Sequence, residues 1–66
     1  MKLQINGEIR EVPASENVRQ LLENLKITPG RIAVEVNQQI VRRQDWEQTA
    51  LREFDRVEIV QFVGGG

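Results

Sequence analysis

Cysteine and histidine are both absent from this sequence. Their absence removes thiol nucleophiles, disulfides, the usual zinc sites and imidazole acid–base chemistry. A chain without disulfides fits a reducing compartment. No apolar run approaches the length needed to span a bilayer, and Met1 is followed at once by alternating polar and apolar residues instead of a signal peptide. A cytoplasmic location with no membrane partner is the expectation. An excess of either charge is lacking too: nine basic and ten acidic residues give a formal net charge of −1, with the signs interspersed. That balance does not supply the basic surplus that binds a phosphate backbone, so no nucleic-acid partner is expected. Arg42-Arg43 is the densest basic spot and reads as a solvated edge. Sixty-six residues allow one small domain. A domain of this size buries only about 60% of its unfolded surface and keeps a stability margin of a few kcal/mol. It has little room for an enclosed pocket beside its core.

What the sequence does contain is alternation, one helical stripe and a run of glycine. Lys2-Leu3-Gln4-Ile5-Asn6 alternates as a half-buried strand does. Asn6-Gly7 then signals a tight hairpin, because a type I′ turn needs φ > 0 at both central residues. Residues 8–12 should return antiparallel, with Val12 inside, Ile9 undecided and Pro13 ending the strand. Asn17 and Gln20 have the spacing of a capping box, with Ser15 as a rival cap. Val18, Leu21, Leu22 and Leu25 recur at i, i+3, i+4 and i+7, one apolar stripe of an amphipathic helix. Thr28-Pro29-Gly30 supplies turn chemistry to end it.

From residue 31 the alternation resumes, with Ile32, Val34 and Val36 inward and Ala33 and Glu35 outward. Asn37-Gln38-Gln39 reads as a tight turn into the short apolar pair Ile40-Val41. A single helical turn follows, capped by Gln44 or Asp45, with Trp46 directed onto the core as a packing anchor. Asp55 sits in the turn that feeds the last strand, where Val57 and Ile59 face inward and Glu58, Val60 and Phe62 outward. This last strand is expected to be central in the sheet. One sheet wrapping one main helix is the simplest way to bury these faces.

The chain ends Val63-Gly64-Gly65-Gly66. Glycine has no Cβ and lets a backbone approach another surface closely. This thread, leaving a rigid strand, can carry one terminal carboxylate into a narrow active site of another protein. A frayed end would look the same in composition.

The order of elements together with this tail resembles a β-grasp, ubiquitin-like domain, and more closely the small sulfur carriers of thiamine biosynthesis, the ThiS family. The resemblance runs over essentially the whole chain. It is carried by Val36-Asn37-Gln38-Gln39-Ile40-Val41, by Arg43, Trp46 and Thr49 at three-residue spacing, by Asp55-Arg56-Val57-Glu58-Ile59-Val60, and by the ending Val63-Gly64-Gly65-Gly66. The family commonly has proline where this chain has Arg42, and glycine where it has Phe54. A bulky residue does not readily take φ > 0, so the turn into the last strand is expected to differ in shape.

The resemblance implies an α+β fold: a mixed sheet of four to five strands around one main helix, formed by residues 1–62, with residues 63–66 as the tail. It implies a carrier and not an enzyme, with no bound cofactor and no metal. A ubiquitin-activating-type adenylyltransferase would join the Gly66 carboxylate to AMP, consuming ATP. A persulfide-bearing enzyme would replace AMP with sulfur, and the thiocarboxylate on Gly66 would serve thiazole synthase. Gly65, Gly64 and Val63 would thread the partner's channel, and Phe62, Val60 and Ala33 would form the docking face. Similar carriers pair with the large subunit of molybdopterin synthase, though those chains are usually longer and lack the Trp46-to-Thr49 pattern. A modifier conjugated to lysines and a plain β-grasp binding module are the remaining alternatives.

Overall fold

A computed structural model describes residues 1–14, 16–28 and 30–62. The expected tight hairpin joins β1 (Lys2–Ile5) to β2 (Glu8–Glu11), with Ile5 opposite Glu8 and Lys2 opposite Glu11. Asn6 and Gly7 take φ of 48° and 86°, as the type I′ turn requires. Val12 is buried. Ile9 is opposite Gln4 and lies exposed on the outer face of the sheet.

Helix α1 (Val18–Asn24) opens with both hydrogen bonds of the capping box. The Gln20 N–H donates to Asn17 Oδ1 at 2.8 Å, and the Asn17 N–H donates to Gln20 Oε1 at 3.0 Å. Seven residues are too few for a helix that is stable alone. Val18, Leu21 and Leu22, all buried, hold it to the sheet, and Leu25 packs at their margin. The helix stops earlier than the turn residues at 28–30 suggest. Lys26 adopts φ 59°, its N–H reaches Glu23 O, and the Ile27 N–H reaches Leu22 O, each at 3.0 Å. This is a Schellman closure with lysine in the place usually held by glycine; it turns Ile27 back onto the core. Ser15, the rival cap, and Pro29 lie outside the described residues.

β3 (Ile32–Val36) and β4 (Gln39–Val41) form a second hairpin, whose turn residues Asn37 and Gln38 take φ of 51° and 70°. The helical turn that follows is a 3₁₀ segment, Arg43–Gln48. Neither Gln44 nor Asp45 caps it. The backbone leaves extended geometry at Arg42, which makes no side-chain cap, and the Asp45 N–H already bonds to Arg42 O at 2.8 Å. Trp46 is 1% exposed and donates its indole N–H to Val41 O at 3.1 Å. The following segment is pinned to the entry of α1, with Val18 N–H on Thr49 O and Leu51 N–H on Glu16 O.

The turn into β5 (Arg56–Gln61) departs from expectation in the opposite sense. Phe54 takes φ 67°, the conformation a glycine would adopt there. Its N–H donates to Lys2 O at 2.6 Å, the Asp55 N–H donates to Arg52 O, and the Asp55 carboxylate accepts from the Arg52 N–H at 2.8 Å. These bonds offset a steric cost of about 1–2 kcal/mol for a side chain in this region. The exposed Phe54 ring needs no cavity.

The sheet order is β2-β1-β5-β3-β4, so the last strand is central. It runs parallel to β1 and antiparallel to β3. This five-stranded mixed sheet curled over one helix is the β-grasp architecture. The core comprises Leu3, Ile5, Val34, Val57 and Ile59 from the sheet against Val18, Leu21, Leu22, Trp46 and Leu51. Where β1 ends, Asn6 extends the ladder with its side chain: Oδ1 accepts from the Ile59 N–H at 2.7 Å, and Nδ2 donates to Ile59 O at 3.2 Å. An Asn6→Gly variant keeps the turn but removes both bonds. It is expected to lose about 1–2 kcal/mol, read as a lower urea midpoint with unchanged slope.

Candidate functional site

Alternation along β5 sends Val57 and Ile59 into the core and leaves Arg56, Glu58 and Val60 on the opposite side. Val60 is 52% exposed and pairs across the strands with the half-buried Ala33. Phe62, just beyond the strand, is 58% exposed, and its N–H donates to Arg31 O at 2.7 Å. Of the three residues expected to form a docking face, Val60 and Ala33 are cross-strand neighbours, and Phe62 is exposed just past the end of the same strand. Val63, Gly64, Gly65 and Gly66 lie outside the described residues.

The segment that anchors Phe62 is itself braced. The Arg43 guanidinium donates to Gly30 O, next to Arg31. Its carbon lies 5.2 Å from the centre of the Trp46 ring, with Arg19 at 5.7 Å. Thr49 Oγ1 donates to Asp45 O at 2.7 Å and closes the 3₁₀ segment. Arg43 thus holds the loop against which the last strand ends, while Trp46 and Thr49 fasten the 3₁₀ segment itself. This is a structural role.

Ile40 was not singled out by sequence reasoning as a surface residue, yet it is 71% exposed and faces outward opposite Glu35. The signal was the strand's alternation: with Val41 packed against the core, its neighbour must point away. A shallow groove beside β4, lined by Ile40, Asp45, Thr49, Arg52 and Asp55, is open to solvent. Asp55 is already used there by Asn37 Nδ2 and the Arg52 N–H.

Two carboxyls are perturbed for structural reasons. On the β2 edge, Glu11 is held below the usual value by the hydrogen bond and charge of the amino terminus. Glu16, 4% exposed before α1, is pushed up by burial, against the lowering effects of its Asn24 hydrogen bond and the amino terminus. Among the described residues no cluster of three His, Cys, Asp or Glu side chains is placed to hold a metal. No described helix is long and apolar enough to cross a membrane. The outer face offers exposed apolar area at Val60 and Ile40 and charged side chains at Arg56 and Glu58.

Known proteins match this arrangement along its whole length. The chain is 46% identical over 66 residues to a thiazole synthase of Paramagnetospirillum magneticum, covering all of this chain and 20% of that protein. It therefore spans about a fifth of the length of the thiazole synthases it matches. It is 32% identical over 66 residues to the sulfur carrier protein ThiS of Escherichia coli, covering 100% of both. The crystal structure of the thiamine biosynthesis protein ThiS from Geobacter metallireducens superposes with a TM-score of 0.87 at 35% identity, again covering both chains fully. Residues 3–66, which take in every strand and the helix save the first residue of β1, together with the terminal glycines, match the ThiS family, and the chain belongs to that family.

Proposed function

We propose that this chain is a sulfur carrier for the thiazole moiety of thiamine, working through a thiocarboxylate on Gly66. The observation that supports this most directly is the end-to-end match to a sulfur carrier protein, with family similarity continuing through residue 66. A carboxylate is a poor electrophile. Joined to AMP by a ubiquitin-activating-type adenylyltransferase at the expense of ATP, its acyl carbon gains a good leaving group. The terminal sulfur of a persulfide-bearing enzyme then attacks that carbon, AMP departs and an acyl disulfide forms. A thiol of the partner system cleaves its S–S bond, leaving the thiocarboxylate on Gly66 and a disulfide on the partner. The thiocarboxylate passes its sulfur to thiazole synthase. Gly66 leaves the acyl carbon unhindered, and Gly65 and Gly64 remove side chains that would meet the walls of a narrow channel. All acid–base groups come from the partners.

The thiazole synthase partnership draws support from relatives in which a segment like this chain lies within a thiazole synthase polypeptide. The adenylyltransferase and the sulfur donor follow from the family's chemistry. Docking uses the outer face of β5, where Val60 and Phe62 are exposed beside Ala33. Phe62→Asp is expected to weaken binding to the activating enzyme at least about tenfold, as loss of a central aromatic contact does, without changing the circular dichroism spectrum. Unchanged affinity in a titration would show that docking lies elsewhere. The function as a whole is tested by complementation. A cell lacking its own carrier should regain thiazole formation with this chain, and continued thiazole auxotrophy would count against the reading.

A further inference from the structure

The register of β3 on β5 places Glu35 directly opposite Glu58, at the centre of the sheet and on its outer face. Side chains so paired have Cβ atoms about 5 Å apart, and like charges in that position are destabilising. Neither glutamate makes an ion pair among the described residues. The ion pairs there are Met1 with Glu11 and Arg19 with Glu47. Arg56, two residues away on the same face of β5, pairs with neither glutamate. Apolar residues flank the pair on its other sides: Ile40 is opposite Glu35, and the next row along the two strands is Ala33 with Val60. The strand register thus sets two carboxylates face to face, without an ion-pair partner among the described residues and beside an apolar rim.

We propose that Glu35 and Glu58 together receive an arginine of thiazole synthase, so that this face reads charge as well as shape. Two adjacent carboxylates offer acceptors to a planar, weakly hydrated guanidinium better than to a lysine ammonium. The flanking Ile40, Ala33 and Val60 supply the apolar contact that excludes water around such a pair. The synthase is the occupant because it is the protein found joined in one chain to a segment of this sequence type. The proposal rests on the carrier reading above.

The test is a titration of the host's thiazole synthase with the full-length chain and with the E35Q/E58Q double variant, at low and high salt. Glutamine keeps the side-chain shape and removes the repulsion. The variant should melt at the same or a higher temperature while its Kd rises about tenfold at low salt, the gap closing at high salt. The single variant E58Q, at an exposed position, should show part of the same loss. An unchanged Kd would overturn the charge-reading role and leave the carrier function standing. Failure of the wild-type chain to bind the synthase would overturn both. Self-association of the wild-type chain that the double variant loses would assign the face to a second copy and overturn the proposal.

Discussion

A variant lacking Gly65 and Gly66 is expected to fold as the intact chain does and to support no thiazole formation at all. The fold of residues 1–62 is closed by the core and the strand ladder: the last backbone bond described, from Phe62 to Arg31, comes before the thread. Removing two glycines beyond it takes away no described contact. It withdraws the acyl group by two residues, about 7 Å of extended chain, from the place where a partner's catalytic groups act. Reactions that rely on positioning lose most of their rate when reacting atoms are displaced by even about 1 Å, so the expected loss is complete. The measurement is thiazole formation in a carrier-deficient cell, with thermal melting of the purified variant as the control. A plain β-grasp binding module would keep its function through the sheet and be indifferent to the deletion. A molybdopterin-type carrier would also lose function, and copurification of its large subunit in place of thiazole synthase would identify it.

The second large effect falls on stability. Trp46→Ala is expected to cost about 3–5 kcal/mol, comparable with the whole margin of a domain this small, and so to leave much of the protein unfolded at 37 °C. The ring is 1% exposed and holds together parts that are far apart in the chain. Its indole N–H ties the 3₁₀ segment to Val41 O, and its face carries Arg43, which grips Gly30 O beside the anchor of Phe62. Trp46→Phe keeps much of the buried area and loses the indole bond, so its cost should be clearly smaller. Denaturant titration of the two variants separates packing from the hydrogen bond. Equal stability of Trp46→Ala and wild type would mean that the side chain is not the core anchor the structure makes it.

Local chemistry made much of this architecture readable from the sequence. Asn6-Gly7 defines its hairpin because the turn type demands those residues, and Asn17 with Gln20 defines the start of α1 because the capping box closes within four residues. The central place of β5 follows from its apolar character, and the outward direction of Val60 and Phe62 from strict alternation. What could not be read this way depends on partners distant in sequence or on backbone bonds that no side-chain pattern marks. Phe54 takes φ > 0 because its N–H finds Lys2 O, more than fifty residues away, and Asp55 clasps the Arg52 N–H. Lys26 does so because Ile27 gains by returning to the core. The 3₁₀ segment begins on a bare backbone bond at Arg42, which no side-chain pattern announces. Glu35 and Glu58 were both legible as outward residues, but only the strand register sets them face to face. The carrier reading comes from the resemblance of the whole chain to a family, since the tail's composition alone reads equally as a frayed end.

Intact mass spectrometry of the protein taken from its native cell tests the central claim most directly. A sulfur carrier should show a species heavier by the exchange of one oxygen for one sulfur, with fragmentation placing the change on Gly66. A chain that carries only the unmodified carboxylate while the cell is actively making thiazole would contradict the account.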